Sequence, residues 1–133
     1  MILTKPARIP LIIIVRSGLP EVNVETIVAP IAPAAAAGAI GATIVSTLTS
    51  GKPDLTMIIN GILAGLVSIT AGCGDMTLAG AWFAGLVGGI IVVFSVAALD
   101  AAEIDDPVGA FSVHGVCGVW GTCLLYTSDA ADE

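Results

Sequence analysis

An all-α membrane protein, folded as a polytopic helical bundle, is the fold class this sequence predicts, and three observations predict it. Charged residues make up only 11% of the 133-residue chain, against about a quarter in a soluble domain. The mean hydropathy is +1.03, too high for most of the surface to face water. Uncharged apolar stretches of spanning length recur four times, separated by short polar breaks.

A bilayer core about 30 Å thick needs roughly 20 apolar residues of helix. Residues 26–51 meet that need and contain the helix-favouring run AAAAGAIGATIV. Pro30 and Pro33 fall in its first turns, where a missing N–H costs least. Lys52-Pro53-Asp54 breaks the stretch, and Asp54 is placed to cap a second helix over residues 55–74. Residues 76–99 form the third, followed by the acidic segment DAAEIDDP. The fourth is expected over 107–128, with Asp106 as N-cap and Pro107 as the first helical residue. Barrel strands are a poor fit, because these runs exceed about 10 residues and do not alternate. The early run PLIIIV is too short to span, and a signal-peptide reading lacks a small-x-small cleavage site.

Glycines recur where helices would touch. Gly61 and Gly65 form one G-x-x-x-G pair and Gly85 and Gly89 another, while Gly115, Gly118 and Gly121 recur every third residue. Between helices in lipid, close backbone approach supplies much of the association. A tightly packed bundle follows from this, but no particular activity does.

Charge excludes one function class and orients the chain. Basic residues are confined to Lys5, Arg8, Arg16 and Lys52, so there is no stripe to track a nucleic-acid backbone. Lys52 places the first connection on the cytoplasmic side. Alternation then puts residues 72–75 outside and 100–106 inside. Cys73, Cys117 and Cys123 match no metal or disulfide spacing and read as small hydrophobes.

His114 is the only histidine, and it lies about two turns into the fourth stretch. Ala110, Phe111, Cys117 and Gly118 share its helix face, and none can pair a cation. Ionisable groups inside a membrane usually face a cavity or the bundle interior. A neutral ring offers one N–H donor and one bare nitrogen acceptor. It could tie two helices together, or stand as a polar station along a solute path, and the second reading is favoured. Neither a metal set nor a catalytic set accompanies it, so an enzyme is not expected.

The stretches EIDDPVGAFSVHGVCGVWGT, GKPDLTMIINGILAGLVSITAGCG and AAAAGAIGATIV resemble later transmembrane helices of the ammonium transporter family (Amt/Mep/Rh). The resemblance runs in order over residues 23–122, and these segments resemble helices seven to ten of the family's eleven. It implies two inverted five-helix halves, a homotrimer in which each subunit holds its own pore, and residence in the plasma membrane. It implies that His114 is the second of two pore histidines and that Leu63 and Ala110 line the pore. Asp106 matches the acid that precedes the histidine helix, and Asn60, one turn before Leu63, is expected to share its face. A bare ammonium ion in such a pore would pay tens of kcal/mol by order of magnitude, whereas ammonia loses only hydrogen bonds. Potassium cannot shed a proton and meets the full barrier. A P-II signalling protein on the cytoplasmic loops is a further implied partner, and no cofactor is implied.

Two segments depart from the pattern. Residues 1–22 do not resemble the family's sixth helix and read as a divergent or frame-shifted start. Residues 123–133, CLLYTSDAADE, match the translation of a transposase adapter used in shotgun libraries. They are expected to interrupt the fourth helix and to lie outside the native fold. The expected domain is therefore residues 23–122, part of an ammonium transporter and inactive alone. A membrane domain of an ammonium sensor, or a fragment without function, are the competing readings.

Overall fold

The computed structural model describes residues 28–129. The signal-peptide question and the divergent start fall on residues outside that range. Helix α1 spans Ile31–Ser50. Pro30 is its N-cap, and Gly51, in the left-handed conformation at φ 74°, ends it by donating its N–H to the Thr47 carbonyl at 2.9 Å. Helix α2 spans Leu55–Ile69, and the Asp54 carboxylate accepts the Met57 N–H at 3.0 Å, which is the cap expected there. Helix α3 spans Leu78–Ala101. Its cap is Thr77, whose hydroxyl accepts the Gly80 N–H at 3.1 Å, a role the sequence reading did not assign. A π-helical segment, Phe111–Val116, leads directly into helix α4, Cys117–Asp129.

Three boundaries differ from expectation. Helix α2 has 15 residues, and at roughly 1.5 Å each it rises about 22 Å, short of a bilayer core. The cause is local, because residues 70–75 fold as turns in which Gly72 N–H meets the Ile69 carbonyl and Asp75 N–H meets that of Gly72. By length and composition, α1 and α3 qualify as spanning helices among those described, rather than all four stretches. The last helix starts at Ala110 rather than Pro107, since residues 106–109 form a turn closed by Gly109 N–H on the Asp106 carbonyl. At the far end α4 runs through Asp129, past the interruption expected at residue 123. No proline or glycine lies between Cys123 and Asp129, and Leu124 packs against the cluster of Ala34, Ile69, Ala81 and Ala84.

The helices meet along a seam of backbone. A Cβ on Gly61 would come within 2.6 Å of the Gly38 carbonyl, and one on Gly89 would land on that same oxygen. One turn away, Cβ atoms on Gly65 and Gly85 would both land on the Ala34 carbonyl. The ridge Ala34–Gly38 of α1 is therefore held between the G-x-x-x-G pairs of α2 and α3. The glycine spacing predicted close helix approach at these pairs; their common partner, α1, is seen in the structure. Beyond the seam, Ala42, Val45, Ala64, Val92, Val93, Val113 and Cys117 form a buried cluster joining α1, α2, α3, the π-helical segment and α4.

Candidate functional site around His114

The segment carrying His114 is positioned from its N-terminal end by a carboxylate. Asp106 accepts the Phe111 N–H through Oδ1 at 3.1 Å and the Ser112 N–H through Oδ2 at 3.0 Å. Helix starts leave such N–H groups without intrahelical partners, so Asp106 does cap the helix, but from across a turn rather than next to the first residue. Desolvation pushes its carboxyl upward, but hydrogen bonds from Ser112 and Phe111 outweigh that and hold it below the ordinary carboxylate range. The turn needs Gly109 at φ 71°, where a Cβ would strike the Asn60 side-chain amide of α2. Asn60 thus packs under the turn that presents the cap.

Three residues of this helix hold it to α3. Ser95 Oγ donates to Ser112 Oγ at 2.9 Å, and Cys117 Sγ donates to the Gly88 carbonyl at 3.5 Å. One turn on, Trp120 Nε1 donates to the Ala84 carbonyl at 3.2 Å. Gly121 lies so close to α2 that a Cβ there would meet the Ser68 backbone. Within the segment, the Cys117 N–H reaches back to the Ser112 carbonyl five residues earlier. That bond is the mark of a π-turn, a feature often found at functional sites.

His114 itself points away from these anchors and is exposed on the described surface, as are Ala110 and Phe111. Leu63, at 41% exposure, is uncovered on α2, the helix against which the π-helical segment packs. Asn60 is only 5% exposed. It does not share the uncovered face of Leu63, contrary to expectation, because the Gly109 turn covers it. His114 and Ala110 at the π-helical segment and Leu63 on α2 are thus each exposed, and a neutral imidazole has one N–H to donate and one nitrogen to accept. Groups of three or more potential metal ligands are absent among the described residues.

Ser95, Ser112 and the π-turn escaped the sequence reading. The available signal was the spacing of Ser112 and Cys117, two small residues five apart in a run without charge. It carries meaning only once both are known to face one neighbour. A separate cavity of about 260 Å³ lies at the opposite end of the bundle, among Gly72, Asp75, Met76, Phe83 and Leu124. It does not include His114.

Comparison with known proteins identifies relatives of the chain. The sequence profile of the Ammonium Transporter Family matches residues 18–130. Ammonium transporter Amt2 of Archaeoglobus fulgidus is 40% identical over 105 residues, which is 79% of this chain and 22% of that protein. Ammonium transporter Amt1 of Haloferax mediterranei is 44% identical over 90 residues, 67% of this chain and 17% of its own. A crystal structure of the Mep2 mutant delta442 from Candida albicans shares the fold with a TM-score of 0.67 at 30% identity, over 72% of this chain and 24% of that one. The chain therefore spans between 17% and 24% of the length of these relatives.

Proposed function

The chain belongs to the ammonium transporter family, and from that premise we propose that it supplies one wall of a narrow apolar path for ammonium or ammonia across a membrane. The observation that carries the proposal is the uncovered face of His114. The sole imidazole of the chain stands on a π-helical segment whose N-cap is the exposed Ala110, while Leu63 is uncovered on an adjoining helix.

The chemistry suits a neutral solute. Ammonia donates and accepts hydrogen bonds, as a neutral imidazole does. Aliphatic walls leave a bare cation with a desolvation cost of tens of kcal/mol by order of magnitude. Entry is thus selective for a species that can leave its proton behind. Leu63 and Ala110 exclude water, and His114 gives the solute its polar contact. Asn60 supports the path from beneath, through the Gly109 turn. Assembly as a homotrimer, and docking of a P-II protein near residues 51–54 and 100–106, belong to the same proposal.

The test is a chimera in which residues 23–122 replace the matching stretch of the Archaeoglobus fulgidus relative. Uptake of labelled methylammonium should be retained in the chimera and fall at least tenfold, roughly the cost of one lost charge-free hydrogen-bonding station, with His114→Ala. Unchanged uptake in that variant would remove His114 from the path. The 133-residue chain alone is expected not to conduct in liposomes, and uptake above empty vesicles would refute that part.

A further inference from the structure

We infer that Ser95 is a positioning residue for His114: its hydrogen bond to Ser112, paired with the Cys117 contact on Gly88, holds the helix in π-register and so turns the imidazole outward. The argument begins with angles. Residues five apart on an α-helix lie roughly 140° apart at about 100° per residue, so Ser112 and Cys117 could not both face one neighbour. In a π-turn, with its i to i+5 bonds, they come back to nearly the same face. Both do face α3 here, and both are fully buried against it at 0% exposure.

The two contacts on α3 are themselves in register. Ser95 and Gly88 are seven residues apart, two turns of an α-helix and hence on one face. His114 follows Ser112 by two residues and precedes Cys117 by three, which leaves it on the side away from both, where it is exposed. Downstream, α4 is fixed by Trp120 on Ala84 and by Gly121 on Ser68. If the Ser95 hydroxyl is removed, the upstream half keeps the Asp106 cap and the apolar packing of Val113, but no side-chain hydrogen bond to α3. The segment can then relax to α-register, which turns the residues before Cys117 by about 100° relative to α4.

The significance of this rests on the path proposal, but its test does not. The chain has a single histidine, so the 133-residue chain in lipid nanodiscs with ¹⁵N,¹³C-labelled histidine gives one imidazole spin system. Ser95→Ala and Ser112→Ala should each displace that signal, to the same position, with no further displacement in the double variant. Ser95→Thr, which keeps a hydroxyl, should restore it. Exchange of the Ser112 and Cys117 amide protons should quicken about five- to tenfold in the alanine variants, the factor that one lost hydrogen bond implies. Thr122→Ala removes a hydroxyl bonded within the same helix and should leave the imidazole unmoved. An unmoved imidazole in Ser95→Ala, or an equal displacement in Thr122→Ala, overturns the inference. If one alanine variant fails to fold, the other decides by the same criterion; if both fail, Ser95→Cys carries the same reading. A displaced imidazole together with methylammonium uptake indifferent to His114→Ala would uphold the positioning role and refute the path.

Discussion

Asp106 Oδ2 accepts the backbone N–H of Ser112 at 3.0 Å while Oδ1 takes that of Phe111, so one carboxylate seats the start of the histidine helix. Because these bonds hold its pKa below the usual value, the stabilisation is complete above the ordinary carboxylate range. It is lost as pH falls through the lowered value. Thermal unfolding of the chain in detergent should show a decline in midpoint at acid pH that is smaller in Asp106→Asn. Equal acid slopes in the two proteins would show that the cap does not titrate in that range.

The seam between α1, α2 and α3 predicts which glycines tolerate a methyl group. Gly89→Ala puts a Cβ onto the Gly38 carbonyl, and since the neighbour is main chain rather than a flexible side chain, the helices must part. The expected loss is about 1–3 kcal/mol. At Gly74 nothing lies within 4 Å, and Gly74→Ala should stay within about 0.5 kcal/mol. Denaturant titration of the two variants in the same micelle makes the comparison.

Gly51 and Gly109 separate backbone strain from collision. Both have positive φ, 74° and 71°, so alanine at either costs roughly 1–2 kcal/mol. Nothing lies within 4 Å of Gly51, whereas a Cβ at Gly109 meets the Asn60 amide. Gly109→Ala should therefore be the more damaging. Combining it with Asn60→Ala should recover the difference, as a non-additive double-mutant cycle in melting temperature.

Trp120 and Trp82 give a matched pair on the surface. The Trp120 indole N–H donates to the Ala84 carbonyl, while Trp82 is 45% exposed. Trp120→Phe is expected to cost about 1 kcal/mol for the lost bond, and Trp82→Phe to stay within about 0.5 kcal/mol. Melting curves that place the two variants together would show that the Ala84 contact contributes nothing.

The sequence foretold much of this fold because its strongest signals act locally or through backbone size. Uncharged runs marked the helices, Asp54 marked a start, and the paired glycines of α2 and α3 marked where helices approach closely. The boundaries it missed depend on turns whose hydrogen bonds are made by main chain, as at Gly72 and Asp75. Apolar composition alone does not distinguish such turns from more helix. Asn60 was misplaced because its burial is set by Gly109, which is 49 residues away. The π-turn was invisible for a similar reason. Its register is decided by what α3 offers to Ser112 and Cys117, and no periodicity within the helix records that.

In the α1–α2–α3 seam, carbonyls rest against glycines with no side chain between them, and so with nothing that can swing aside. These three helices consequently behave as a single plank, and slower amide exchange along Ala34–Gly38 than along Ser112–Cys117 is the signature of that division. The last helix has one such backbone contact, Gly121 on Ser68, and is otherwise joined to α3 by side-chain hydrogen bonds that a rotation can break. Compliance in this part of the molecule is thus concentrated in the element that bears the imidazole.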